Sequence, residues 1–228
     1  MKDHSCDLSS CFLCSHCIPE WKELVAVKKQ TFSFRKGETI FQEGDKVHGI
    51  YFLYSGAAKV HKHWAEQKEL IIRFTRSGDI LGHRGLGAGE LYPVSATALV
   101  ESKGCFISNN FLETTLRADH AFTYRLLQFY SDELQKAEMR MRNLALMEVK
   151  GRIAETLLLL LDLYGKNKDH HITVPVTRQD IAAYAGTTYE TVFKLLRILT
   201  AAKIISATGK SIRVINEKKL RNIVKDAR

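Results

Sequence analysis

A short stretch near the end of the chain, residues 177–199, constrains the fold more than any other segment. Thr177 followed by Asp180 is a capping pattern, which predicts a first helix that starts at Thr177 and ends at Tyr184. Gly186 then supplies the backbone freedom that a tight turn between two helices needs. The segment therefore predicts two short helices joined by a glycine turn.

The second of these helices is predicted to have two chemically different faces. Thr187 followed by Glu190 is a capping box that predicts its start, so the whole segment has the spacing of a helix-turn-helix motif. Apolar residues at i, i+3, i+4 and i+7 define a buried stripe: Val192, Leu195, Leu196 and Leu199. The opposite side carries charged and aromatic residues, namely Glu190, Phe193, Lys194 and Arg197.

The polar side of this helix matches the chemistry of a DNA major groove. Lys194 or Arg197 could donate hydrogen bonds to guanine, and Glu190 could accept one from cytosine. Phe193 could contact the methyl group of thymine. The alternative is an ordinary amphipathic helix whose Phe193 covers neighbouring apolar surface.

Positive charge is concentrated around this motif. Of a net charge of +9, Gly151–Arg228 contributes +7, with 14 Lys and Arg against 7 Asp and Glu, and the other 150 residues contribute +2. Binding to DNA phosphates requires such an excess, whereas a basic protein-binding surface is the alternative. After the motif, alternating residues around Gly209 and Lys210 predict a β-hairpin wing, from which Lys210 could reach a phosphate.

Hydropathy predicts a cytoplasmic protein without a membrane partner. The longest apolar run, Leu157 to Leu161, is far shorter than the roughly 20 residues of a membrane helix. Residues 1–17 are polar and lack the apolar centre of a secretory signal. No combination of nucleophile, base and orienting residue stands out, so we do not expect an enzyme.

Cysteine spacing indicates a metal site near the N-terminus. Cys11, Cys14 and Cys17 match the first three ligands of the bacterial ferredoxin pattern, and Cys6, Cys11 and Cys14 match the plant-type pattern. Both patterns need a distant fourth ligand, for which Cys105 is the only candidate. Alternatively, the four N-terminal cysteines bind zinc and Cys105 is a core residue, or the segment is a metal-free tail. Spacing alone does not select the metal.

Two further segments predict a sheet domain and a dimerisation helix. Between Thr31 and Ser108, short apolar or alternating runs separated by turn residues predict an antiparallel sandwich or jelly roll. From Ala121 to Met147 the spacing changes to alternating 3 and 4, which favours a parallel two-helix coiled coil over packing on the chain's own sheet. The residues of this seam are Leu127, Tyr130, Leu134, Ala137, Met141 and Leu144. Glu148 to Tyr164 predicts an apolar helix that opens the basic domain.

In this order, the segments resemble the Crp/Fnr family of bacterial transcription regulators. The resemblance covers nearly the whole chain and depends on RKGETIFQEGD, YFLYSGAAKV, SGDILG, VKGRIAETLLLL and VTRQDIAAYAGTTYETVFKLL. It implies an α+β fold with a cysteine-rich segment (1–20), a β-roll (21–118), a dimerisation helix (119–147) and a winged helix-turn-helix domain (148–228). It also implies a homodimer that binds a double-stranded DNA operator and acts with RNA polymerase.

Within the family, the resemblance favours the oxygen-sensing Fnr branch over the cyclic-AMP branch. The glutamate and Arg-Ser pair that bind cyclic AMP correspond here to His83 and to Val94-Ser95, so we do not expect cyclic AMP to bind. In the Fnr branch, three N-terminal cysteines and one at the end of the roll hold a 4Fe–4S cluster. The corresponding ligands are Cys11, Cys14, Cys17 and Cys105, with Cys6 as the substitute ligand because the family has a longer gap before its last N-terminal cysteine.

The recognition segment also departs from both branches. Glu190 matches the family's glutamate, but Phe193 and Lys194 stand where Fnr has serine and arginine, and Tyr189 replaces an arginine of the cyclic-AMP branch. Arg178 resembles the family's phosphate-contacting residue. The DNA-contacting set that we predict is Arg178, Thr188, Tyr189, Glu190, Phe193, Lys194, Arg197 and Lys210.

The leading hypothesis is therefore a DNA-binding regulator that senses oxygen, nitric oxide or redox state through an iron–sulfur cluster. A second hypothesis keeps the regulator but gives it structural zinc or no metal, with an unidentified effector in the roll. A third, an electron-transfer iron–sulfur protein, leaves the basic C-terminal part and the helix-turn-helix unexplained.

Overall fold

The alternating segments between Thr31 and Ser108 form two four-stranded sheets in the computed structural model, which describes residues 9, 11–64, 68–87 and 89–227. The strands are β1 (Gln30–Phe34), β2 (Thr39–Phe41), β3 (Gly49–Ser55), β4 (Ala57–Trp64), β5 (Lys68–Arg76), β6 (Ile80–Leu81), β7 (Ser95–Ala98) and β8 (Ser102–Ser108). One sheet has the order β1-β8-β3-β6 and the other β2-β7-β4-β5. Strand β8 pairs antiparallel with β1 and β3, and β7 with β2 and β4, so the predicted antiparallel double sheet is confirmed.

The chain divides into two compact units. The first comprises the described residues of Met1–Lys62 and Phe74–Gln135, and the second comprises those of His63–Arg73 and Lys136–Arg228. Cys6 lies outside the described residues, so its assignment as a substitute ligand stays a prediction. Within the described part of the chain, no helix is both long and apolar enough to cross a membrane.

Four helices and a 3-10 helix accompany the sheets. Helices α1 (Phe12–His16) and α2 (Pro19–Lys28) precede β1, a 3-10 helix (His83–Leu86) follows β6, and α3 (Asn109–Ala118) and α4 (His120–Leu146) follow β8. Residues two apart on a strand lie on the same face of the sheet. Ile50 and Phe52 of β3 therefore lie on the face that also presents Cys105 of β8, where they are buried in one core with helix residues such as Phe122.

Helix α4 leaves most of its predicted seam exposed. Leu127, Leu134 and Met141, which lie seven residues apart, are 66%, 62% and 67% exposed, and Ala137 is also exposed. Tyr130 and Leu144 are half-buried. The hydroxyl of Tyr130 donates a hydrogen bond to the carbonyl of His83 at 2.7 Å, so this seam residue also contacts its own chain.

The C-terminal part of the chain contains the predicted helix-turn-helix and wing. Its elements are α5 (Val149–Tyr164), α6 (Arg178–Ala185), α7 (Tyr189–Ala201), β9 (Ile205–Thr208), β10 (Ser211–Val214) and α8 (Glu217–Asp226). Helix α6 packs against both α5 and α7, and α8 packs against α5. The α+β fold class and the predicted order of sheet domain, long helix and helix-turn-helix are confirmed.

The two helices of the motif begin with side-chain caps. The hydroxyl of Thr177 accepts from the amide of Asp180 at 3.0 Å, and the Asp180 carboxylate accepts from the amide of Thr177 at 3.1 Å, which confirms the predicted capping box. Gly186 has a φ of 62°, the left-handed conformation that favours glycine at a helix end.

The predicted cap of the second helix was wrong by one residue. Thr188, and not Thr187, is the N-cap, and its hydroxyl accepts from the amide of Thr191 at 3.2 Å. The amide of Thr187 instead donates to the carbonyl of Ala182 at 3.1 Å. Thr187 therefore still belongs to the end of α6, and the turn needs one more residue before α7 can begin.

Candidate functional site

Helix α7 separates a buried stripe from an exposed polar and aromatic face. Val192, Leu196 and Leu199 are at most 2% exposed, and Leu195 is half-buried, so the predicted stripe packs within the domain. Because this packing fixes the rotation of α7 about its axis, the remaining face must point outward. We call α7 the recognition helix.

The exposed face of the recognition helix brings most of the predicted DNA-contacting residues together. Glu190, Lys194 and Arg197 are exposed. Tyr189 and Phe193 are each 41% exposed, and their rings stack with centroids 6.4 Å apart and an interplanar angle of 18°. This face therefore offers a carboxylate, two positively charged side chains and two aromatic rings to a ligand in solution.

Arg178 belongs to the same surface although it lies on helix α6. Its guanidinium carbon is 5.3 Å from the centroid of the Phe193 ring, within the range of a cation–π contact. Arg178 is half-buried at the beginning of α6 and lies next to the aromatic pair. Thr188, at the start of the recognition helix, is exposed.

The predicted wing is confirmed as a two-stranded hairpin. Strands β9 and β10 pair antiparallel, with Thr208 opposite Ser211. Gly209 has a φ of 58°, which allows the two-residue turn, and Lys210 beside it is exposed. Lys210 is therefore available to a phosphate at the tip of the hairpin.

Two arginines that the sequence did not single out satisfy the carbonyl groups where α6 ends. The guanidinium of Arg152 donates to Ala185 at 2.8 Å, to Gly186 at 3.3 Å and to Met147 at 2.7 Å. The last carbonyls of a helix have no partner within the helix, so such donors stabilise its end. Arg152 is half-buried, and its charged neighbours in the sequence give no signal of this role.

Arg140 is the second of these donors. Its guanidinium donates to the carbonyls of Ile71 at 2.6 Å, Ile72 at 2.9 Å and Tyr184 at 2.8 Å, and it stacks 3.7 Å above the Tyr184 ring. Burial lowers the pKa of the Arg140 guanidinium from its ordinary value, and Tyr184 opposes that effect. No local pattern in the sequence distinguishes Arg140 from the charged residues around it.

The first unit brings four of the five cysteines into one buried core. Cys11, Cys14 and Cys105 are each 1% exposed, and Cys17 is 7% exposed. All four belong to the same cluster of buried side chains. The three N-terminal cysteines and the distant one that the spacing predicted as ligands are therefore buried in the same core.

Asp119, which sequence reasoning missed, anchors the cysteine segment to the start of helix α4. Its carboxylate accepts from the amide of Ile18, directly after Cys17, at 2.8 Å, and from the amide of Phe122, in the first turn of α4, at 2.9 Å. The Trp21 indole donates to the hydroxyl of Thr115 at 2.9 Å. The residue before a helix commonly carries such a cap, which is the one sequence feature that could have identified Asp119.

The environment of Cys17 favours the neutral thiol when no metal is bound. Burial raises the pKa of the Cys17 thiol, the carboxylate of Asp119 adds to the increase, and Lys22 opposes it. Metal ligation requires the thiolate, which a bound cation stabilises. Burial therefore stabilises the neutral thiol of Cys17, and only a nearby cation would favour its thiolate.

The positions that correspond to the cyclic-AMP ligands are buried. His83 is 4% exposed, and its ring lies 5.0 Å from the Phe129 ring and 5.7 Å from the Tyr130 ring. Val94 and Ser95 are each 4% exposed, and the hydroxyl of Ser95 accepts from the amide of Glu43 at 2.9 Å. No arginine stands at residue 94 or 95.

The fold combines an antiparallel double-sheet domain, a long helix and a winged helix-turn-helix with an exposed basic face. This combination defines a DNA-binding regulator. Residues 31–119 match the model of the cyclic nucleotide-binding domain, and residues 151–223 match the model of the Crp-like helix-turn-helix domain.

Known proteins of the same organisation resemble the chain over most of its length. The cAMP-activated global transcriptional regulator CRP of Salmonella typhimurium is 30% identical over 76% of this chain and 84% of its own. The anaerobic regulatory protein of Bacillus subtilis is 28% identical over 82% of this chain and 79% of its own. The structure of FixK2 from Bradyrhizobium japonicum superimposes with a TM-score of 0.75 at 26% identity, over 86% of this chain and 96% of that one.

The chain belongs to the Crp/Fnr family of transcription regulators. It is a DNA-binding protein and not an enzyme.

Proposed function

We propose that the chain is a cytoplasmic, homodimeric transcription regulator that senses oxygen, nitric oxide or redox state through an iron–sulfur cluster. The observation that carries the proposal is the burial of Cys11, Cys14, Cys17 and Cys105 in a single core. The anaerobic regulatory protein among its relatives supports a role in the response to oxygen.

The cysteine placement favours a site with a distant ligand over a zinc site closed by N-terminal cysteines. In the zinc alternative, Cys6 completes the set and Cys105 is an ordinary core residue, whose place in the same core as the other cysteines has no role in ligation. Cys105 shares the core with Cys11, Cys14 and Cys17, although it lies 88 positions after Cys17 in the sequence. Thiolates are the usual ligands of iron–sulfur clusters, and burial shields a bound cluster from solvent.

The residues beside the cysteines connect them to the long helix. Phe12 follows Cys11, and its ring lies 6.0 Å from Phe122 and 5.4 Å from Phe129, both on α4. Asp119 provides a second connection through its hydrogen bonds to Ile18 and Phe122. A change in the position of helix α1 would therefore alter its contacts with the first turns of α4.

Cys11, Cys14, Cys17 and Cys105 would hold the cluster, which would supply sensitivity to oxygen or nitric oxide. Loss of the cluster would change the position of α4 through the residues that connect the cysteines to it. A cluster that binds only one conformation of the protein favours that conformation. In the ligated state, the three N-terminal thiolates would hold α1, with Phe12, against Phe122 and Phe129. In the unligated state this restraint would be absent.

Helix α4 is the proposed dimer interface. Leu127, Leu134 and Met141 form an exposed apolar row seven residues apart, which is the spacing of a coiled-coil seam. Because Tyr130 and Leu144 are half-buried within their own chain, the seam is short and its association is sensitive to the position of α4. The dimer would present two recognition helices to a palindromic operator and, as a regulator, would act on RNA polymerase.

Cyclic AMP is not the proposed effector. A cyclic nucleotide carries a phosphate that needs a cation or several donors, because an unpaired buried charge costs several kcal/mol, on the order of 3–5. Val94 supplies neither, and the Ser95 hydroxyl is already hydrogen-bonded to the amide of Glu43. In this proposal, the 30% identity to a cAMP-activated regulator reflects a shared fold and DNA-binding domain and not a shared effector.

Iron, zinc and acid-labile sulfide analysis of protein purified without oxygen tests the proposal. We expect about four irons and four sulfides per chain, with a visible absorbance that disappears in air. One zinc per chain, or no metal at all, would overturn the proposed sensor and leave the DNA-binding assignment intact.

A further inference from the structure

We propose that Phe193, supported by Tyr189 and Arg178, makes the protein discriminate the C5 methyl group of thymine in the major groove. The inference rests on the proposed role of α7 as the recognition helix. It goes further because it assigns a specific chemical group on DNA to a surface that neither branch of the family, as described above, possesses.

The two rings are an apolar patch on an otherwise polar face. Tyr189 and Phe193 are each 41% exposed, next to exposed Glu190, Lys194 and Arg197. An exposed apolar patch indicates a contact surface more than a single exposed residue does. Among the base edges of the major groove, the thymine methyl is the apolar group, so it is the partner that an aromatic patch there would select.

The patch is preorganised before DNA binds. Tyr189 and Phe193 are four residues apart, and the 18° angle between their rings shows a stacked pair along one side of the helix. The Arg178 guanidinium lies 5.3 Å from the Phe193 ring. A ring held by two neighbours loses less conformational freedom on contact with a methyl group than an isolated exposed ring would.

The contact between Arg178 and Phe193 also couples two kinds of DNA contact. Arg178 is the predicted phosphate-binding residue, and its position is set partly by the ring that we assign to the methyl group. When the protein is positioned on DNA so that Phe193 reaches a thymine methyl group, Arg178 would therefore also be placed to contact a DNA phosphate. Phosphate contacts fix register and base contacts carry the sequence information.

Another exposed apolar residue on the same helix provides a matched control. Ile198 is 47% exposed, and at 3.6 residues per turn it lies about 140° around the helix from Phe193. Ile198→Ala therefore removes apolar surface from α7 without touching the aromatic pair. Phe193→Leu keeps an apolar side chain at the assigned position but removes the aromatic ring that contacts Arg178.

The test uses the full-length protein and the duplexes that it selects from a random DNA pool. Each thymine of the selected duplex is replaced in turn by deoxyuridine, which removes only the methyl group, and the Kd is measured by fluorescence anisotropy. We expect one thymine per half-site at which the replacement weakens binding about fourfold, as the loss of one buried methyl group predicts.

The variants then assign this effect to Phe193. The fourfold thymine preference should persist in Ile198→Ala, be partly kept in Phe193→Leu and vanish in Phe193→Ala. Equal binding of thymine and uracil duplexes by the unmodified protein would overturn the inference, as would an unchanged preference in Phe193→Ala. If protein purified without oxygen enriches no duplex at all, the proposed recognition helix is itself wrong, which is a different failure.

Discussion

Arg140 should hold the helix-turn-helix in place, and its replacement by alanine is the sharpest test of that role. The guanidinium donates to three carbonyls, those of Ile71, Ile72 and Tyr184, at 2.6–2.9 Å. It also stacks 3.7 Å above the Tyr184 ring, near the end of α6. Arg140→Ala removes all of these interactions at once.

The size of the effect follows from these contacts. Hydrogen bonds from a charged donor contribute about 1.5–3 kcal/mol each, and a cation–π contact contributes about 0.5–2 kcal/mol. Because Arg140 is half-buried, water would reach some of the carbonyls after truncation. Opening of α6 breaks only the hydrogen bond to the Tyr184 carbonyl and the contact with the Tyr184 ring, since Ile71 and Ile72 lie on β5. We therefore expect the free energy of opening of α6 to fall by about 3–4 kcal/mol. Arg140→Lys, which keeps the charge on a single nitrogen, should lose about half as much.

Hydrogen exchange of the α6 amides measures this quantity without assuming that the two units unfold together. A loss of about 3–4 kcal/mol corresponds to exchange faster by two to three orders of magnitude, since 1.4 kcal/mol is a factor of ten. Arg142→Ala is the control, because Arg142 is exposed and its hydrogen bonds go to the side chain of Asn143. Equal exchange in Arg140→Ala and Arg142→Ala would refute the role of Arg140.

Three further predictions concern the dimer and the DNA contacts. Leu134→Glu should dissociate the proposed dimer in sedimentation experiments, because it places like charges in the seam. Met139→Glu should not, because Met139 is 53% exposed but lies outside the seam. A dimer that survives Leu134→Glu would rule out this interface. Lys194→Ala should weaken operator binding by about 1–3 kcal/mol and relax specificity at one base pair; an equal loss on every sequence would show a phosphate contact instead. Arg178→Ala should weaken binding to every sequence and reduce the salt slope by about 1, because it removes a phosphate contact. An unchanged slope would contradict its phosphate contact.

The helix-turn-helix could be predicted because its determinants are local. The capping box at Thr177, the glycine at 186 and the apolar stripe of α7 each act within a few residues. The one local error, Thr187 in place of Thr188, arose because two adjacent threonines have the same capping chemistry. The hydrogen bonds distinguish them, because the Thr187 amide donates to the carbonyl of Ala182 and the Thr188 hydroxyl accepts from the amide of Thr191.

The residues that connect distant parts of the chain could not be predicted from local patterns. Asp119 accepts from Ile18, 101 residues away, and Arg140 donates to Ile71, 69 residues away. Such partners are set by tertiary packing, which periodicity does not encode. Cys105 is the exception, because a cysteine pattern that lacks one ligand requires a distant cysteine, and the chain offers one candidate.

The most direct test of the proposed sensor is the affinity for a selected operator duplex before and after exposure to air, with iron content measured on the same samples. Protein purified without oxygen should bind at least about tenfold more tightly before exposure than after it, a coupling of about 1.4 kcal/mol. Cys105→Ser should bind as weakly as the air-exposed protein under both conditions. If Cys105→Ser and the air-exposed protein bind as tightly as the anaerobic protein, the four cysteines do not control DNA binding.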